Sequence, residues 1–210
     1  MRTSPAIAIT IRNVSKRYRT GYAVKNVSTC FEAGRLNLLV GQNGSGKTTL
    51  LRCIMGLCRY EGSIERDNLK IGYAPEQYVM PAFMSMLDFL MLLGRLKETE
   101  GAKVRQVLRE GIGIFGLEQF VNRQIGVLSN GMKQKINLLQ AIVHDPDILI
   151  FDEPLQGLDA ESQQRFIERI KTYARTKLVI ISTHYPEKFR ANAKKVYVIE
   201  NGEMADAGDV

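Results

Sequence analysis

Gly41-Gln42-Asn43-Gly44-Ser45-Gly46-Lys47-Thr48 fits the pattern GxxxxGK[ST], and it decides the fold of this 210-residue chain. A short apolar run suited to a buried strand, Leu36 to Val40, precedes it, and a helical pattern from Lys47 to about Leu57 follows. Each residue type answers a physical need. Glycines let the backbone turn sharply and bring its N–H groups against phosphate oxygens, making an anion-binding nest. The helix that opens near Lys47 aims the positive end of its dipole at the same point. Lys47 supplies a cation for the β- and γ-phosphates of a nucleotide, and the Thr48 hydroxyl suits Mg²⁺.

Further along, Asp147-Ile148-Leu149-Ile150-Phe151-Asp152-Glu153 is an apolar strand ending in two carboxylates. Beside a phosphate loop such a pair divides its labour: Asp152 holds the metal, and Glu153 orients or deprotonates an attacking water. This strand is expected to lie next to the phosphate-loop strand.

The rest of the chain arranges itself around these two segments. Ile7 to Ile11 alternates β-forming residues, and Ala23 to Phe31 contains a second such run. Pro81 to Leu96 is dense in Met, Leu and Phe, Ala102 to Phe115 has helical spacing, and Asn130 to His144 reads as a third helix. Strand–helix–strand succession then returns, with a helix from Ala160 to Tyr173 and a strand from Lys177 to Ser182. Val196 to Ile199 and a turn at Asn201-Gly202 predict a closing hairpin. The expected fold is α/β, with a helical subdomain inserted at about 79–127 into a core of about 1–78 and 125–210, all one nucleotide-binding domain.

Composition excludes several classes. Hydrophobic residues make up 45% and charged residues 24%, the balance of a globular protein. The longest apolar clusters fall far below the ~18 residues of a membrane span, and the amino terminus lacks an apolar export signal. The chain is therefore expected in the cytoplasm, reaching the cytoplasmic face of a membrane only through a partner. The formal charge of +7 is scattered rather than gathered into an RNA-binding tract, so no nucleic acid is expected. Cys30, Cys53 and Cys58 match neither a disulfide framework nor a zinc site and read as buried, inert thiols.

Further segments, in order, resemble the ATP-binding cassette family. Leu128-Ser129-Asn130-Gly131-Met132 looks like its LSGGQ signature, with Asn130 and Met132 as departures. Gln77 in Tyr73-Ala74-Pro75-Glu76-Gln77 is similar to the Q-loop, Gly157-Leu158-Asp159 to the D-loop, and His184 in Ser182-Thr183-His184 to the switch histidine. Tyr18 sits where the family places an aromatic that stacks on adenine. The resemblance spans essentially the whole chain. It implies a P-loop NTPase core of the RecA-like kind, an antiparallel β subdomain at the amino terminus and the helical insert. It also implies ATP and Mg²⁺ as ligands. Tyr18, Gly41, Gln42, Asn43, Gly44, Ser45, Gly46, Lys47, Thr48 and Thr49 would hold the nucleotide; Thr48, Gln77 and Asp152 the metal. Glu153, Gln77 and His184 would carry hydrolysis. Two cassettes pair head to tail in this family, so Ser129, Gly131 and Asp159 would complete a partner's site, the partner being a second copy or a homologous cassette.

The LSNGMKQK and IGYAPEQ forms look most like cassettes of exporters whose membrane subunit is a separate chain. The apolar stretch Phe83 to Leu93 adds physical support as a docking helix for that subunit. The alternative is an ABC ATPase that acts on a ribosome, DNA or an assembly complex, for which 210 residues without heptads offer neither paired cassettes nor coiled coils.

Overall fold

The computed structural model describes residues 7–66, 68–189 and 194–209. Strands β1 (Ala8–Tyr18), β2 (Gly21–Glu32) and β3 (Leu36–Val40) lead into helix α1 (Lys47–Ile54). Then come β4 (Glu61–Arg66), β5 (Ile71–Ala74), α2 (Met86–Leu96), α3 (Gly101–Phe115) and α4 (Asn130–Ile142). The last elements are β6 (Ile148–Asp152), α5 (Ala160–Tyr173), β7 (Leu178–Thr183), β8 (Lys194–Glu200) and β9 (Glu203–Asp209). The chain forms two compact units, Met1–Leu69 with Lys171–Val210, and Lys70–Ile170.

In the first unit, β1 pairs antiparallel with β2 and with β4. Alternation drives this sheet: Ile9 and Ile11 are buried, Ile9 opposite Phe31. β3 is apolar without alternation because successive side chains on both its faces are buried; β7 and β8 pair with it in parallel, with Leu36 opposite Val179 on one side and Lys194 on the other. The strand ending in Asp152 is therefore not its neighbour, contrary to expectation; the strand that ends in Thr183, one residue before His184, takes that place. Asn37, the one polar residue of β3, is wholly buried and satisfied: its amide donates to the carbonyls of Glu32 and Val179, and it accepts from the Tyr197 hydroxyl.

α1 stops three residues short of the sequence reading. Gly56 adopts φ 71, and the N–H groups of Leu57 and Gly56 bond back to the carbonyls of Arg52 and Cys53. This is a Schellman end, which closes the helix and reverses the chain. The expected hairpin joins β8 and β9, with Asn201 and Gly202 both left-handed, as a two-residue turn between twisted strands requires.

The second unit holds the parallel pair β5–β6 and the helices α2, α3 and α4. At Gly72 a Cβ would stand 1.9 Å from the Ala141 carbonyl oxygen, so glycine is what lets α4 lie against β5. α2 starts at Met86 rather than Phe83, because Ser85 caps it: the Ser85 hydroxyl accepts from the Asp88 N–H and donates to the Asp88 carboxylate. Met86 and Leu90 are fully buried and Phe83 is exposed, so the stretch is not uniformly a docking helix. Strands β4 and β5 escape the sequence reading; β4 is mostly polar and exposed, and β5 is only four residues long. Among the described residues no helix is long and apolar enough to cross a membrane.

Candidate nucleotide site

In the first unit the phosphate loop leaves β3 and turns through Gly44 at φ 81 and Gly46 at φ 114. Gly46 stands immediately before α1, and the Leu50 N–H bonds back to its carbonyl. A Cβ on Gly46 would meet the Ala23 carbonyl oxygen at 2.3 Å, so the loop is pressed against β2 as well as bent. The Lys47 ammonium is buried and donates to the carbonyls of Gly41 and Gln42 at 2.7 and 3.0 Å, arching over the loop it follows. Among the described residues the buried Ser45 hydroxyl has no hydrogen-bond partner. Thr48 and Thr49 are half-buried in the first turn of α1, where backbone N–H groups lack intrahelical acceptors. The loop borders a cavity of about 280 Å³ lined by Gln42, Asn43, Gly44, Ser45, Glu200 and Asn201.

The β8–β9 turn supports this loop from behind. The Gly202 N–H donates to the Ser45 carbonyl at 2.9 Å, and the Gly202 carbonyl accepts from the Lys25 N–H at 2.8 Å. Lys25 also pairs with Glu203 at 2.6 Å. A turn read only as the end of a hairpin thus fixes the loop's backbone. Tyr18 is exposed at the β1–β2 hairpin end, with the Lys16 ammonium 5.0 Å from its ring. His184 follows β7, half-buried, its ring 3.8 Å from that of Tyr185.

The second unit carries the other expected residues. Asp152 ends β6 and is 1% exposed; Glu153 is buried with φ 47, a left-handed backbone uncommon for a residue other than glycine. Two amides hold the turn that follows. Gln134 donates to the Pro154 carbonyl, and Gln163 donates to the carbonyls of Leu155 and Leu158. Ser129 caps α4, its hydroxyl accepting from the Met132 N–H at 3.3 Å. Asn130 is the first residue of that helix and has no left-handed backbone, so its replacement of glycine demands no special conformation. At Gly131 a Cβ would sit 2.9 Å from the Gly157 carbonyl oxygen, so signature and D-loop touch backbone to backbone.

Asp159 caps α5. The Ser162 N–H at 2.8 Å, the Lys135 ammonium at 3.1 Å and the Ser162 hydroxyl at 2.9 Å hold its carboxyl well below the usual carboxylate range. Gln77 lies exposed in the loop after β5, while Glu76 beside it accepts from Gln156.

Sequence reading missed a row of amides on α4. Gln134, Asn137 and Gln140 lie three residues apart, hence on one face, and donate to the carbonyls of Pro154, Pro75 and Tyr73. Asn137 also donates to Gln134, and Gln140 to Asn137. The signature helix is thereby tied to the start of the Gln77 loop and to the turn after Glu153. Three amides at i, i+3 and i+6, interleaved with Ile136, Leu138, Leu139 and Ala141, are the signal that could have revealed it.

Residues 24–156 match the family described as ABC transporter. The chain is 31% identical to ABC transporter ATP-binding protein YxlF of Bacillus subtilis, over 96% of its length and 71% of the relative's. It is 30% identical to Nod factor export ATP-binding protein I of Burkholderia lata, over 97% and 71%. With zinc import ATP-binding protein ZnuC of Rickettsia conorii it shares 36% identity over 77% and 69%. Among solved structures, a dimeric ATP-binding cassette in a post-hydrolysis state with ADP and Pi superimposes with a TM-score of 0.83. That match is at 25% identity and covers 94% of this chain and 98% of the other.

Proposed function

Because this chain belongs to the ABC transporter family as one of its ATP-hydrolysing cassettes, we propose that it powers export across a membrane through a separate transmembrane partner. The observation that carries the proposal is a set of exposed apolar side chains in the second unit. Val79 is 98% exposed, Phe83 77%, Leu96 68% and Leu92 41%, and Val79 lies two residues after Gln77. Exposed apolar groups spread over residues 79–96, just after a loop of this kind, suit a cytoplasmic helix of a membrane subunit. Export is the direction favoured by the Nod factor relative and by the LSNGMKQK and IGYAPEQ forms; the zinc-import relative marks the competing direction. The cassette would reside at the cytoplasmic face of the membrane, held there by that partner. The helical segment 79–127 would serve as its docking subdomain, within one nucleotide-binding domain.

The roles follow from the chemistry of the side chains. Lys47 and the N–H groups of the loop and of Thr48 and Thr49 bind the phosphates of ATP, and Tyr18 stacks on the adenine. The buried, unpaired Ser45 hydroxyl and the glycine turns fit a phosphate cradle. Thr48, Asp152 and Gln77 offer the hard oxygen donors that Mg²⁺ prefers. When bound, the ion neutralises charge on the β- and γ-phosphates. Glu153 takes the proton of the attacking water while His184 and Gln77 hold the reacting groups in line. Ser129 and Gly131 cap the nucleotide of a second copy, and Asp159 reaches across the same pairing.

The deciding experiment is affinity capture of the tagged chain from detergent-solubilised membranes. One membrane protein with transmembrane spans should co-purify and stimulate phosphate release. Recovery with ribosomes or nucleic acid, and no membrane protein, would overturn the reading in favour of a non-transport ABC ATPase.

A further inference from the structure

The Schellman end of α1 folds the chain back so that two thiols meet. The Leu57 N–H bonds the Arg52 carbonyl, the Gly56 N–H bonds the Cys53 carbonyl, and the Arg66 guanidinium donates to the Ile54 carbonyl at 2.7 Å. Held by these bonds, Cys58 brings its Sγ to 3.5 Å from that of Cys53. Cys53 is 1% exposed and Cys58 is half-buried, so only one of the pair is open to solvent. Cys30 lies elsewhere, on β2, its Sγ 3.8 Å from the Thr10 hydroxyl.

We propose that Cys53 and Cys58 form a dithiol site that low-molecular-weight disulfides oxidise to an intrachain disulfide. The separation must shorten from 3.5 Å to an S–S bond of about 2.0 Å. The order of events follows from exposure. The Cys58 thiolate attacks one sulfur of the small disulfide, forming a mixed disulfide and releasing one small thiol. The Cys53 sulfur then attacks the Cys58 sulfur, forming the intrachain S–S bond and breaking the mixed one. Its proton leaves with the second small thiol, so two protein thiols are oxidised and one disulfide is reduced to two thiols. Burial, then the hydrogen bond that the Cys53 thiol makes to Cys58, push the Cys53 thiol up to about 12. Cys53 therefore stays protonated at neutral pH and serves as the resolving partner, not the first attacker. This departs from the inert thiols expected of the sequence, because that expectation lacked the turn that brings the pair together.

The test equilibrates the folded chain in glutathione buffers of rising oxidised-to-reduced ratio, quenches with acid, alkylates and weighs the intact chain. Reduced protein should take three alkyl groups. Oxidised protein should take one, at Cys30, and its backbone mass should be lower by two hydrogens. Cys58→Ser should take two groups at every ratio, and Cys53→Ala should accumulate one glutathione on Cys58. Three alkyl groups on the wild type at every ratio, a lasting glutathione adduct on the wild type, or a bridge to Cys30 would each overturn the proposal. If Cys53→Ala does not fold, the wild type and Cys58→Ser still decide it.

Discussion

Lys47 shows what one residue does in this structure. Its buried ammonium already spans the loop through the carbonyls of Gly41 and Gln42, so the site is shaped around a cation. Lys47→Ala removes the charge proposed to face the phosphates and should cost about 2–5 kcal/mol, or roughly 30-fold or more in Mg-ATP affinity. Titration with a fluorescent ATP analogue measures it, and unchanged affinity would contradict the loop assignment. His144 offers a test by pH. It is 4% exposed; burial pushes its imidazole below the ordinary value of 6.5, against the opposing contact of its Nε2–H with the Ile71 carbonyl at 3.2 Å. The folded state thus binds fewer protons than the unfolded one between the lowered value and 6.5. Stability attributable to His144 is full above pH 6.5 and is lost as pH falls through the lowered value. Thermal melting of wild type and His144→Gln across pH 7.5 to 5 should show a steeper acid decline in the wild type. Parallel curves would remove His144 as its source.

Elements owe their positions to contacts of differing legibility. β3, α1 and α5 were readable because an apolar run, a glycine loop and a 3.6-residue period are local signals. β5 was not, since four residues carry too little pattern, and the amide row of α4 was not, since polar residues on a helix ordinarily face water. The backbone of the phosphate loop and the strand that ends at Asp152 are legible from local sequence, as glycines between an apolar run and a helical pattern and as an apolar run closed by two carboxylates, whereas the support that Gly202 gives Ser45 joins positions far apart in sequence. Asn137 is the central member of the amide row and is 1% exposed. Asn137→Leu leaves the Pro75 carbonyl without that donor and should cost about 1–3 kcal/mol, seen as a lower urea midpoint at an unchanged slope. Combined with Gln140→Leu it should fall short of additivity by at least about 0.5 kcal/mol. Strict additivity would mean that the amides act separately.

For the molecule as a whole, the consequences concern pairing, docking and assembly. Glu153→Gln keeps the side chain's shape but removes its base, so hydrolysis should drop by about 100-fold or more while ATP still binds. Sedimentation with excess ATP should then find a dimer holding two nucleotides; monomer alone would show that the signature of this chain pairs too weakly without its membrane subunit. Docking is tested by contrast. Met86→Glu places a carboxylate in the core and should destabilise the chain by upwards of about 3 kcal/mol. Phe83→Glu, at an exposed position, should change stability by no more than about 0.5 kcal/mol yet reduce recovery with membranes. Full recovery of Phe83→Glu would leave the docking surface without support. Finally, the bond from Gly202 to Ser45 bears on how the protein is born. The phosphate loop emerges from the ribosome early, but the turn that braces it is made about 160 residues later, a delay of roughly 10–30 s at ordinary rates of synthesis. During that interval β3 lacks its β8 edge, and the loop lacks its brace. The loop is therefore expected to reach its braced form only once Gly202 has left the ribosome, however much of the chain precedes it.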